Sequence, residues 1–229
     1  MSPGRPDQHG GRPRRYRQHP RFAAAYARFS PRADAAGMDA HRRELLAGLH
    51  GTVVEIGAGN GLNFSHYPPQ VTRVVAVEPD DVLRAHAERA AAAAPVPVHV
   101  VAGTAEDLPL ADGQAAAAVF CLVLCSVADP ARALAEARRT VRPDGQLRFY
   151  EHVRSGHRLL AAAEDAATPL WRRIAAGCHP GRDTAAAISA AGWDLDAIRR
   201  FTHSPARPLP AIAHILGRAR PRPAQDVDS

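Results

Sequence analysis

Apolar positions along the chain follow two rhythms, short β-branched runs and longer stretches with a helical period. A helical pattern covers residues 38–49, with Leu45, Leu46 and Leu49 on one side and Arg42, Arg43 and Glu44 expected in solvent, and Gly51 ends it. The run Val53-Val54-Glu55-Ile56 follows, and its β-branched density suits a parallel strand buried on both faces. It stops in Gly57-Ala58-Gly59-Asn60-Gly61. Residues 62–66 then read as the start of a helix that Pro68-Pro69 cuts short. Further strands are predicted over 73–80, 98–101, 115–124 and 146–152. Between them, Asp80 or Asp81 caps a helix over 82–93, and Asp129-Pro130 opens another that runs to Arg139. Helices over 159–174 and 184–191 follow, then two more strands over 193–201 and 209–216. Upstream, Phe22, Tyr26 and Phe29 recur at helical spacing, and they either pack on the core or form a lid over a site.

Composition changes this picture little. The 229 residues are 46% hydrophobic, ample for one large core, and only 5% aromatic, so alanine fills much of the volume. All 29 basic residues are arginine, a bias that with the abundant Ala and Pro reflects coding more than design. The net charge of +6 is spread along helices in alternation with acids, the pattern of a solvated face, and no nucleic-acid reading motif accompanies it. No nucleic-acid partner is therefore expected. Residues 1–20, rich in Pro, Gly, Arg and Gln, read as a disordered tail, as do residues 218–229, leaving 21–217 as one domain. Cys121, Cys125 and Cys178 lie in or near apolar segments without the paired spacing of a zinc site, so neither a disulfide framework nor a metal is expected. No apolar run approaches the ~20 residues of a membrane span. The expectation is a soluble, cytoplasmic protein, and no pattern sets its oligomeric state.

Chemistry enters at the glycine turn. Glycine accepts positive φ and has no Cβ, so the turn can press backbone amides against a ligand, although by itself it also suits an ordinary strand-to-helix connection. Glu78 ends the next strand, 17 positions after Gly61. A carboxylate there can accept both hydroxyls of a ribose, and the plainer alternative is a surface acid. After the third strand, Gly103-Thr104-Ala105-Glu106-Asp107-Leu108-Pro109 brings an acid pair within reach of an adenine amino group. A nicotinamide dehydrogenase would need Gly-x-Gly-x-x-Gly; here the third glycine comes one position early and Leu62 stands in its place.

The order Glu-Ile-Gly-Ala-Gly-Asn-Gly, Val-Glu-Pro-Asp, Gly-Thr-Ala-Glu-Asp-Leu-Pro and Arg-Pro-Asp-Gly resembles a class I S-adenosylmethionine-dependent methyltransferase over about residues 38–217. Asn63-Phe64-Ser65-His66-Tyr67-Pro68, Leu122-Val123-Leu124-Cys125-Ser126-Val127, Tyr150-Glu151-His152-Val153 and Gly177-Cys178-His179 are similar to its thiol methyltransferase-like branch of small-molecule enzymes. The resemblance implies a seven-stranded, mostly parallel Rossmann-like α/β sheet flanked by helices, completed by an antiparallel strand pair at its C-terminal end. It implies S-adenosyl-L-methionine as cofactor, S-adenosyl-L-homocysteine as product, and a small-molecule acceptor, a thiol in this branch. Methylation of oxygen or carbon on a phenol or quinol, or a non-catalytic binding module on the same fold, stays open. By the same resemblance Gly57, Ala58, Gly59 and Gly61 would cradle the amino-acid end and Glu55 would orient its ammonium. Glu78 with Pro79 would hold the ribose, Ala105, Glu106 and Asp107 the adenine, and Leu122 would wall the adenosyl group. His152 is the candidate general base, with Cys125, Ser126, Glu151, Cys178 and His179 within reach of the acceptor by the switch-point rule. Three departures stand out: Asn60 where Thr or Ser is commoner, Ala115-Ala116 where an Asp often precedes the strand, and Asp144 in place of a turn Gly. The Asn/Asp-Pro-Pro-Tyr/Phe motif of amino-group nucleic-acid modifiers is replaced by Cys125-Ser126-Val127.

Overall fold

In the computed structural model, which describes residues 16–174, 177–204 and 211–223, the chain opens with α1 (Pro20–Ala33) and α2 (Asp39–Leu46), joined by a wide turn at Asp34–Met38. Then come β1 (Gly51–Ile56), β2 (Val71–Val77), α3 (Asp81–Ala91), β3 (Val98–Val101) and β4 (Ala115–Cys121). The second half holds α4 (Pro130–Thr140), β5 (Val141–His152), α5 (Arg158–Ile174), α6 (Thr184–Ala190), β6 (Trp193–His203) and β7 (Ile212–Pro221). One seven-stranded sheet runs in the order β3-β2-β1-β4-β5-β7-β6, parallel from β3 to β5 and antiparallel where β7 meets β5 and β6. The expected α/β architecture is thus present.

The strands bury both faces, as their unbroken apolar runs require. Val54, Ile56, Val75, Val77, Ala118 and Phe120 face a core closed by Leu134 of α4, Ile188 of α6 and Trp193. Their sequence neighbours Val53, Val74, Ala76, Ala117 and Val119 face the opposite core, against Leu45 and Leu46 of α2 and Ala87 of α3. The strand order reverses between β1 and β4, which is where a ligand crevice forms in such a sheet. Register levels the strand tips there: Ile56 pairs with Val77 on one side and Phe120 on the other, and Cys121 pairs with Tyr150. Gly57, Glu78 and Leu122 consequently leave the sheet along one edge, level with Glu151 near the end of β5.

Five local expectations are corrected. Residues 62–66 give only a single 3-10 turn, Phe64–His66, because the diproline ends the segment before an α-helix can gain a second turn. β4 stops at Cys121, before the expected 124, where Leu122 turns to φ 62°. Residues 218–221, read as tail, complete β7: exposed Arg218 and Arg220 alternate with buried Ala219 and Pro221, and the arginines masked the strand. Of the expected N-terminal tail, residues 16–19 are tied down, Gln18 donating to the Pro79 carbonyl (2.9 Å) and accepting from the Asp81 amide (3.1 Å). Residues 1–15 and 224–229 of the expected tails, and residues 209–210 of the expected last strand, lie outside the described residues. No helix among the described residues is long and apolar enough to cross a membrane.

Arg42 is the fifth correction. Expected in solvent with Arg43 and Glu44, it is buried at 5% exposure. Its Nε donates to Asp34 Oδ1 at 2.7 Å, and its Nη1 donates to Asn63 Oδ1 at 2.9 Å and Cys121 Sγ at 3.1 Å. Removing one partner of a buried pair leaves the other charge unmatched, at a cost of about 3–5 kcal/mol. Arg42→Ala is therefore expected to lower the unfolding free energy by about that amount in urea titrations. A loss near that of a surface substitution would show that the network carries no such weight.

Candidate active site

The glycine turn is held against β2, with the Gly57 and Ala58 amides both donating to the Val77 carbonyl (2.8 and 3.1 Å). Its glycines do different work. A Cβ on Gly57, at φ 69°, would stand 2.6 Å from Val123 Cγ2, so this position lets the loop after β4 close on the turn. A Cβ on Gly59, at φ 58°, would meet Tyr26 Cε1 at 3.6 Å, ordinary van der Waals contact, so this position lies under Tyr26. Tyr26 stacks on Phe22 (5.8 Å), so α1 covers the turn, while Phe29 is exposed. Of the two readings of that aromatic stripe, Tyr26 follows the lid.

Glu78 leaves β2 directly beside this turn. Its Oε2 accepts from the Gly59 amide at 2.7 Å and its Oε1 from the Asp80 amide at 2.9 Å. Burial pushes its carboxyl up to about 7 against those two bonds. Asp80 in turn caps α3, accepting from Val82 and Leu83. Pro79 is half-buried under Gln18. Tyr16 lies close enough to Asp80 and Glu78 to feel both charges; burial first, then those acids, raise its hydroxyl to about 12.

Glu55 sits beneath the turn, 2% exposed, accepting from Asn63 Nδ2 (2.8 Å) and Tyr67 OH (2.7 Å). Burial raises it to about 7, against those bonds. Through Asn63 it joins the Arg42 network, which locks the base of the turn. Beyond β3, Ala105 is buried, Glu106 is half-buried and Asp107 exposed. Glu106 Oε1 accepts from the Asp129 amide at 3.3 Å and its carbonyl from Arg132 Nε at 2.9 Å, so it is bound to the start of α4.

At the tip of β4, Leu122 is the one non-glycine residue with positive φ among the described residues, its amide donating to the Tyr150 carbonyl at 2.7 Å. Such strain collects at functional sites because surrounding contacts must impose it. Glu151, fully buried, imposes the loop that follows. Its Oε1 accepts from the Val123 and Leu124 amides (2.9 and 3.0 Å) and its Oε2 from Cys125 (3.3 Å). Burial lifts its carboxyl to about 7 even so. The segment carrying Cys178 docks on the same loop: the His179 amide donates to the Cys125 carbonyl (2.7 Å), and Arg182 donates to the Leu124 and Val127 carbonyls (2.6 and 2.9 Å).

His152 ends β5 half-buried, its Nδ1 at 3.7 Å from Cys125 Sγ and 3.9 Å from Cys178 Sγ. The Cys125 thiol is pushed well above its ordinary range by its hydrogen bond with Cys178 and by burial. Ser126 Oγ lies 3.6 Å from Cys125 Sγ. Cys125, His152 and Cys178 bring their ligand atoms within 4.8 Å of one another, a grouping not foreseen from the sequence. Their distance along the chain hid it. The burial of Arg42 and the part Glu151 plays were also not foreseen; neither residue carries a local sign, being base or acid in an amphipathic or strand-end context.

The cradle fits an adenosyl sulfonium. Gly59 presents no side chain, with Tyr26 the nearest neighbour on its Cβ side, and Glu78 presents beside it a buried carboxylate with one lone pair on each oxygen left by the amides. Fold and cradle together are those of an S-adenosylmethionine-dependent methyltransferase. Residues 54–149 match the methyltransferase domain family. The human thiol S-methyltransferase TMT1B is 32% identical over 194 residues, covering 80% of this chain and 79% of its own. Human thiol S-methyltransferase TMT1A is 30% identical over 178 residues, 68% of each chain. A SAM-dependent methyltransferase from Thermotoga maritima superimposes with a TM-score of 0.66 at 21% identity, covering 87% of this chain and 96% of that one. The chain belongs to the class I S-adenosylmethionine-dependent methyltransferases.

Proposed function

We propose that this enzyme methylates the sulfur of a small thiol. The observation that carries the reading is the position of His152 at the carboxyl end of β5, its Nδ1 at 3.7 and 3.9 Å from two cysteine sulfurs, beside the loop whose Val123 packs on Gly57. An uncharged, polarisable acceptor suits walls built from Leu122, Val123 and cysteine sulfur. The likeness to thiol S-methyltransferases along four-fifths of the chain supports the same acceptor class.

When bound, S-adenosylmethionine supplies a methyl carbon on a sulfonium, so transfer to a thiol makes one carbon–sulfur bond, breaks another and releases the thiol proton. The protein's part is to bind, align and keep dry, and positioning of this kind is worth about 7–11 kcal/mol. Gly57, Ala58, Gly59 and Gly61 would hold the amino-acid end, with Glu55 orienting the ammonium through the lone pairs that Asn63 and Tyr67 leave. Glu78 and Pro79 would hold the ribose. Ala105, Glu106 and Asp107 would border the adenine, with Leu122 against the adenosyl face. Tyr26 would exclude water above Gly59. A thiol, with an ordinary pKa of about 8.5, is already partly ionised near neutrality, so a weak base such as the His152 imidazole suffices to accept its proton.

The deciding experiment is a thiol, phenol and quinol panel with mass-spectrometric detection of products one methyl heavier. Turnover on alkyl or aryl thiols is expected. Methylation confined to the phenols or quinols would overturn the thiol reading.

The carboxylate of Glu78 adds a pH prediction. Ribose hydroxyls donate to its ionised form, so binding must pull its pKa below the value of about 7 it has in the structure. Affinity for S-adenosylhomocysteine should then rise as pH climbs toward 7 and level off above it. From this group alone, binding at pH 6 is expected to be about tenfold weaker than at pH 8 by calorimetry. A flat profile would remove the ribose from Glu78.

A further inference from the structure

We infer that Cys125, His152 and Cys178 form a binding site for one soft divalent cation of the zinc class. The donor set is two sulfurs and an imidazole nitrogen, the combination such cations prefer over harder ones. A tetrahedral zinc with Zn–S about 2.3 Å and Zn–N about 2.0–2.1 Å separates sulfur and nitrogen by about 3.5 Å. The two observed separations, 3.7 and 3.9 Å, need only a small contraction. A disulfide would explain two cysteines meeting, but it has no use for a histidine nitrogen turned toward both sulfurs.

The ligands are also held in place. Glu151 grips the Cys125 amide and the two before it. The Cys178 segment is tied to the same loop by the His179 amide on the Cys125 carbonyl. His152 is fixed by its strand, pairing with His214, whose ring lies 4.6 Å away. Backbone bonds that position ligands in advance are what a metal site requires and what a chance contact of thiols lacks. Cys125 and Cys178 are buried at 1% and 6% exposure, while His152 is half-buried, so one side of the trio stays reachable.

Three protein ligands leave the fourth tetrahedral position for water or substrate, the arrangement of catalytic rather than structural zinc. On the thiol-acceptor reading, on which this step rests, the acceptor sulfur would take that position as thiolate and give its proton to solvent. The cation would then do the activating, and His152 would position it instead of acting as the base.

The test uses the full chain, reduced, stripped with chelator and titrated with cobalt(II) under argon. One equivalent should bring up thiolate-to-cobalt charge-transfer bands and the visible bands of a tetrahedral ion, with release of protons and displacement by zinc. Cys125→Ser, Cys178→Ser and His152→Ala should each weaken binding by more than about 100-fold. Because a cysteine variant can fail to fold, the melting temperature of each is measured without metal, and the parent's is measured with and without zinc, which should raise it. Absence of the bands, bands that survive in the double cysteine variant, or a Cys125–Cys178 disulfide formed in place of the complex would overturn the site. Adding an alkyl thiol to the cobalt-loaded protein should shift the charge-transfer bands. Cobalt bound with no shift leaves the cation site standing and removes the thiol from it, whereas thiol methylation by a protein that binds no cobalt removes the cation alone.

Discussion

Glu78→Ala is expected to weaken S-adenosylhomocysteine binding by 100-fold or more, as a rough figure from two hydrogen bonds to a charged group at about 1.5–3 kcal/mol each. Both carboxylate oxygens of Glu78 lie at the glycine cradle, one on the Gly59 amide and one on the Asp80 amide. Removal therefore takes away the proposed ribose acceptor and the brace of the turn together. Two measurements separate these effects. The melting temperature without ligand reports the brace, and the shift produced by saturating S-adenosylhomocysteine reports the ribose contact. Glu78→Gln keeps the shape, but its amide nitrogen must meet one of two amide donors, so it should fall between the parent and the alanine variant. Unchanged affinity in Glu78→Ala would contradict the assignment.

The second large effect is expected at Glu151. Its carboxylate accepts from three successive amides, those of Val123, Leu124 and Cys125, in a fully buried setting. Glu151→Ala strands all three donors. At about 1–3 kcal/mol for each unsatisfied group, and allowing for relaxation of the loop, the loss should be about 3–5 kcal/mol of unfolding free energy. Turnover should fall as well, because this loop carries Leu122 and Cys125 and packs Val123 against Gly57. Glu151→Gln keeps one accepting oxygen for the Val123 and Leu124 amides and should recover part of both losses. Urea titrations at pH 8, above the raised carboxyl value of about 7, compare the variants with the parent's ionised form. A stability equal to the parent's would show that the loop holds itself.

These two acids were unequally visible in the chain. Glu78 stands at a strand end behind a glycine turn, and the spacing between them suffices to bring it to the cradle, because two adjacent parallel strands in register must end side by side. Glu151 stands at a strand end too, but nothing near it announces three amides waiting across β4. The strands themselves were legible for the same local reason as Glu78. Runs such as Val53-Val54 and Val98-His99-Val100-Val101 have few conformations besides a buried strand, and β3 fell where its residues predicted.

What the chain determined alone is the α/β order, the strand cores and the caps at Asp80 and Asp129, which follow from nearby residues, and the meeting of Glu78 with the glycine turn, which follows from two adjacent parallel strands ending level. Tertiary structure alone decided the burial of Arg42 against Asp34 and Asn63, the alternation of Arg218 and Arg220 with buried neighbours in β7, and the meeting of Cys125, His152 and Cys178. Helical period marks Arg42 as a polar position without saying that a wide turn at Asp34–Met38 will bring an aspartate back to it. The sulfur and imidazole trio arises only once β4 and β5 align their tips and a third segment folds over them. Periodicity records what a residue's own element needs, whereas such meetings depend on how separate elements close on one another.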